Sequence, residues 1–103
     1  MRESYYTAHA SHALRFFAKN QDKLNHMDFR SAAEMMDWNA CKQSIIQFSE
    51  DQRKMLLEVY REDGFKFRDK VKAVAQRNEV TEKYLWVLVD ALMKMFARNR
   101  GLI

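Results

Sequence analysis

The sequence predicts an all-α protein of about five helices, on three observations. The 103 residues contain no proline and only two glycines, Gly64 and Gly101, so the turn residues that β-hairpins require are missing. Ala, Leu, Met, Lys, Arg, Glu and Gln, the residues that enter a helix at least cost, are abundant. The apolar residues recur at three- and four-residue intervals, the spacing that gathers side chains on one helix face.

Taken in order, a first helix is expected over residues 4 to about 19, with Ser4 as its cap. Tyr6, Ala10, Ala13, Leu14 and Phe17 fall on one stripe, which Tyr5 and Phe16 widen. Asn20 to Met27 is polar and aperiodic and reads as a connection. A second helix starts near Asp28 or Ser31, where Ser31 and Glu34 make a capping-box sequence, and runs to about Gln47. Phe29, Ala33, Met36, Ala40 and Phe48 stand at helical spacing, and Met35, Trp38, Cys41, Ile45 and Ile46 broaden that face. These two helices make a hairpin over residues 1–48.

Residues 49–103 hold three more helices. Ser49 and Gln52 form a capping box, and Glu50 and Asp51 sit where the helix dipole favours negative charge. Met55, Leu56, Val59 and Tyr60 supply the buried face. Asp63-Gly64 ends this helix, with Gly64 left-handed and Phe65 folding back onto the last turn. The fourth helix begins at Phe67 or Arg68. The fifth runs from Thr81 to about Asn99, with Arg98 and Arg100 against its dipole and Gly101 beyond. With no linker or repeat, the whole chain reads as one domain in which the hairpin packs on the three-helix unit.

The fourth and fifth helices carry the most specific pattern. Val71, Val74 and Ala75 share one face, as do Leu85, Leu88, Val89 and Leu92. Thr81 can cap the free N–H groups of the last helix, and Val80 before it can staple onto Leu85. Ala75 is small where two crossing helices must approach closely, five positions before Val80. This is a helix-turn-helix pattern, whose usual work is to place its second helix in a DNA groove.

On these residues the second half of the chain resembles a known family. Ser49-Glu50-Asp51-Gln52-Arg53, Leu56-Leu57-Glu58-Val59-Tyr60, Val71 to Ala75, Val80, Tyr84-Leu85-Trp86 and the terminal Arg98 to Ile103 are similar to sigma-70 region 4-like helix-turn-helix proteins. The likeness is to the small versions found in phage and mobile-element transcription regulators. It covers residues 49–103 and implies DNA binding and transcription regulation, with RNA polymerase as a partner. One departure is the absence of the glycine usual in the tight turn. Asn78 and Glu79 stand there, and Asn tolerates the left-handed conformation better than most residues.

Charge agrees with a polyanion partner. Residues 1–64 carry nine Lys/Arg against ten Asp/Glu, and residues 65–103 carry nine against four, so the net +4 comes wholly from the second half. The expected phosphate contacts are Lys66, Arg68, Lys70 and Lys72, with Arg77 near the turn. Thr81 and Lys83 are expected to read or orient the duplex. Trp86 and Val87 either touch thymine methyls or are covered by the N-terminal helices or a second subunit.

Other chemistries find little support. His9 and His12 are three residues apart, but no second pair is spaced to complete a metal site. Cys41 lies within an apolar stripe, where a thiol behaves as a small hydrophobe, and as the only cysteine it rules out an internal disulfide. No nucleophile elbow, Walker loop or zinc motif is present, so no catalytic residue, cofactor or metal is expected. No apolar run approaches the roughly 18 residues of a membrane span, and MRESYYTAHA lacks a secretory core. The expectation is a cytoplasmic, non-enzymatic protein that binds double-stranded DNA and contacts no membrane. The alternative is a helical interaction module, with Trp86, Val87 and Met93 on a homodimer or partner surface.

Overall fold

The computed structural model describes residues 6–23, 28–63 and 66–103, and these form five α-helices with no strand among them. They are α1 (Thr7–Lys19), α2 (Ala32–Ile45), α3 (Glu50–Arg61), α4 (Phe67–Arg77) and α5 (Glu82–Arg100), with one 3-10 turn at Gln21–Lys23. Ser4, Tyr5, Gly64 and Phe65, for which the sequence suggested a cap, a stripe position and a helix stop, lie outside the described residues.

The helix starts follow the sequence closely. Ser49 Oγ accepts from Gln52 N–H at 3.3 Å while Gln52 Oε1 accepts from Ser49 N–H at 3.0 Å, completing the reciprocal box. Ser31 caps α2 by accepting from Glu34 N–H at 3.2 Å. The return bond is displaced by one residue, because Glu34 Oε1 takes the N–H of Arg30 at 3.2 Å. At the far end of the chain Gly101 has φ 84°, and Leu102 N–H reaches back to the Ala97 carbonyl at 2.7 Å. That left-handed closure satisfies the carbonyls of Ala97 and Arg98.

The longest helix, α5, touches the other four. Leu85, Leu88, Val89, Leu92, Phe96 and Ala97 are its buried residues. Helix α2 lies mainly on α5, α1 lies mainly on α3, and α4 bridges α3 and α5. The hairpin and the three-helix unit therefore share one contiguous core. Within it Trp38 receives the rings of Phe17 at 4.8 Å and of Phe16 and Phe29 at 6.0 Å, all tilted toward edge-on geometry. Such pairs contribute about 0.5–1.5 kcal/mol each beyond the area they bury.

The buried face of α2 differs from the expected one. Trp38, Ala40, Cys41, Ser44 and Ile45 are buried, whereas Ala33, Met35, Met36 and Ile46 are exposed. Polar bonds fix this rotation. Asp37 Oδ1 accepts from Arg100 Nε at 2.6 Å and pairs with His9 Nε2 at 2.8 Å, while Asn99 Nδ2 donates to the buried Ser44 Oγ at 2.9 Å. A helix apolar on most sides is oriented by its polar contacts. Cys41 is fully buried, and burial together with the Asp37 charge pushes its thiol pKa far up.

If α5 is the shared wall of this core, Leu92→Ala should cost about 2–5 kcal/mol in urea unfolding, because Leu92 is almost wholly buried. A loss below about 1 kcal/mol would mean that its neighbours do not pack as described.

Candidate nucleic-acid interface

The turn between α4 and α5 is built from backbone bonds. Val80 N–H donates to the Ala75 carbonyl at 3.0 Å and Glu79 N–H to that of Gln76 at 3.3 Å, the paired bonds of a Schellman closure. The left-handed position falls on Glu79, with φ 56°, and not on Asn78. Asn78 is used differently. Its side-chain amide donates to the Val74 carbonyl at 2.8 Å and to Glu58 Oε1 at 3.2 Å. Thr81 Oγ1 then accepts from Tyr84 N–H at 3.0 Å and starts α5 as expected. Ala75 is 1% exposed beneath this turn.

Three sets of contacts fix α4 and α5 against α3. Gln52, already part of the α3 capping box, donates through Nε2 to Tyr84 Oη at 3.0 Å, tying the N-terminal ends of α3 and α5 together. Tyr60, Phe67 and Trp86 form a ladder across α3, α4 and α5, with centroids 5.3 and 5.7 Å apart. Arg77 Nη2 reaches Glu62 at 2.6 Å and Glu58 at 3.1 Å, clamping the end of α4 to α3. Those carboxylates, Glu62 foremost, hold the Arg77 guanidinium pKa above its ordinary value.

The expected site residues accordingly divide. Lys66, Arg68 and Lys72 are exposed around the first half of α4, and Thr81, Lys83 and Val87 are exposed at the start of α5. Lys70 is not open to solvent. It is 8% exposed on the inner side of α4, and burial, then the charge of Arg15, lowers its ammonium pKa. Arg77 is solvent-exposed, but its charge is committed to two carboxylates. Trp86 is half-buried, with the Phe67 ring packed against it and the shared core beside it. At the chain end Arg100 is taken by Asp37.

Along α5 the open face is a single stripe. Lys83, Val87, Asp90, Lys94 and Arg98 stand at i, i+4, i+7, i+11 and i+15, and all are exposed. It spans about 22 Å at 1.5 Å per residue. Lys94 escaped the sequence reading although its spacing from Lys83 places it on this face. Lys83, Lys94 and Arg98 have no carboxylate partner among the described residues. No group of three or more His, Cys, Asp or Glu among the described residues is placed to hold a metal, and no helix there is long and apolar enough to cross a membrane.

Comparison with protein-family models, with curated proteins and with solved structures finds no match to this chain.

The turn geometry has a direct thermodynamic consequence. A left-handed glutamate costs about 1–2 kcal/mol, part of which glycine would return as unfolded-chain entropy. Glu79→Gly should therefore raise stability by about 0.5–1 kcal/mol in urea unfolding. A loss of stability would mean that the turn does not hold residue 79 left-handed.

Proposed function

We propose that this protein binds double-stranded DNA and regulates transcription, with the N-terminal end and outer stripe of α5 in the major groove. One observation carries this reading: the α5 stripe that no other helix covers, with Lys83, Lys94 and Arg98 unpaired among the described residues. A helix about 10–12 Å across matches a groove about 12 Å wide. Thr81 and Lys83 lie at the helix start, where the dipole also favours phosphate. Val87 suits a thymine methyl, and Asp90, the one carboxylate on the stripe, can accept from cytosine N4. Lys66, Arg68 and Lys72 hold flanking phosphates, and Lys70, Arg77 and Trp86 support the scaffold. The resemblance of residues 49–103 to sigma region 4 makes RNA polymerase the second partner in this reading.

A specific observation favours a second reading. Tyr84 and Val87, three residues apart, are 41% and 59% exposed, an apolar pair that a second copy of the chain or another protein could cover. Fluorescence anisotropy with labelled genomic duplexes separates the two. If about five phosphates are neutralised, log K should fall with log salt at a slope of about −4 to −5. Lys83→Ala combined with Lys94→Ala should flatten that slope by about 2. Arg77→Ala should leave the slope alone and cost only about 1 kcal/mol or less of stability, as expected for an exposed clamp. Absence of DNA binding, or binding indifferent to salt, would overturn the DNA reading. Concentration-dependent self-association without DNA binding would establish the second.

A further inference from the structure

On a different surface, the C-terminal turns of α2 and the length of α3 enclose a groove of about 520 Å³, closed at its base by Phe17 from α1. Its α3 wall is Glu50, Arg53, Lys54, Leu57 and Arg61, at i, i+3, i+4, i+7 and i+11, so one continuous helix face looks into it. Its α2 wall is Lys42, Ile45 and Ile46, again at i, i+3 and i+4. Ile46 is 61% exposed, the most exposed of the large apolar side chains, and Leu57 opposite is half-buried.

The charge around this apolar strip is one-sided. Within the groove Lys42, Arg53, Lys54 and Arg61 stand with one carboxylate, Glu50, and none of the four has an ion-pair partner among the described residues, although Lys54 and Arg61 border Glu58 and Glu62 on the adjoining surface. Arg53 is the most telling. Its Nε is shielded from solvent yet lacks a hydrogen-bond acceptor. The guanidinium therefore carries donor capacity at Nε that no group of the described residues uses. The residue types are those of a helix-in-groove site, an apolar strip for anchors at i, i+3 or i+4 and i+7 with charge along the rim.

We infer that this groove docks an acidic amphipathic helix of a partner protein. Its apolar side chains enter between Ile46 and Leu57, and its carboxylates meet Arg53, Lys54, Lys42 and Arg61. The α3 wall from Glu50 to Arg61 is about 16 Å long, which suits roughly three turns of a partner helix. The inference goes beyond the DNA-binding reading and does not depend on it, since the groove and the α5 stripe share no residue. A nucleic acid would use the cations but gain nothing from Ile45, Ile46 and Leu57.

The test uses the full chain and three fluorescein-labelled 14-residue peptides, read by anisotropy. The first has Leu at i, i+4, i+7 and i+11 with Glu elsewhere. The second has the same composition with the Leu residues dispersed, and the third replaces Glu by Lys. The acidic amphipathic peptide should bind at least about tenfold more tightly than the other two. Lys42→Glu combined with Lys54→Glu should weaken it about tenfold or more, and Ile46→Ser, an exposed position where the fold should survive, about fivefold. Circular dichroism checks each variant, and Lys54→Gln provides a milder second change. Equal binding of the dispersed peptide would overturn the inference by reducing the groove to a patch of positive charge. Indifference to Ile46→Ser would overturn it too, as would a finding that Lys42→Glu with Lys54→Glu abolishes binding to duplex DNA while leaving the peptide bound.

Discussion

The apolar stripe of α5 needs more cover than the two helices preceding it can give. From Leu85 to Phe96 it is buried by helices from both halves of the chain, α1 and α2 from the first and α3 and α4 from the second. Each Leu, Val or Phe so buried contributes about 1.5–3 kcal/mol. The three-helix unit alone would leave part of that stripe in water, and so the N-terminal hairpin completes the core. The same constraint defines the exposed surface. Four helices around α5 leave one face uncovered, and that face is the stripe from Lys83 to Arg98.

Polar contacts then choose among packings that apolar burial would accept. Asp37 joins α1, α2 and the end of α5 through His9 and Arg100. Glu58 and Glu62 fix the end of α4 through Arg77, with Asn78 on the same carboxylate pair. Asp63 plays the equivalent part between α1 and the end of α3, and Lys19, then Arg15, hold its carboxyl below the usual range. The Asp63 and Arg77 pairs are largely solvent-exposed and individually weak, whereas the Asp37 pairs are part-buried. Their effect is on register and rotation more than on total stability.

Much of this was legible in the sequence because it is local. Caps at Ser31, Ser49 and Thr81, the stripes of α1, α3 and α5, and the small residue Ala75 all follow from spacing within a few positions. What was not legible depends on distant partners. The orientation of α2 was obscured because Met35, Met36, Trp38, Cys41, Ile45 and Ile46 offer apolar groups almost all round, and the deciding contacts come from Arg100 and Asn99 far along the chain. Lys70 and Arg77 read as open cations, yet one lies under the α1–α3 junction and the other is claimed by carboxylates 15 and 19 residues away. The turn stands at Asn78 and Glu79 as expected, but its left-handed residue is the second of the two. Residue preference favours Asn at the left-handed position, but the Schellman bonds to Ala75 and Gln76 put Glu79 there.

The central claim is that both halves of the chain fold around α5 as one unit. The two tryptophans report on it directly, because Trp38 lies in α2 and Trp86 in α5. Single-tryptophan variants, Trp86→Phe and Trp38→Phe, can each be unfolded in urea and followed by both fluorescence and far-ultraviolet circular dichroism. One shared core predicts that within each variant the two curves coincide, in a single transition of equal midpoint and slope. Loss of the Trp38 signal at lower urea, while most helical signal persists, would contradict the account by showing a hairpin that unfolds on its own.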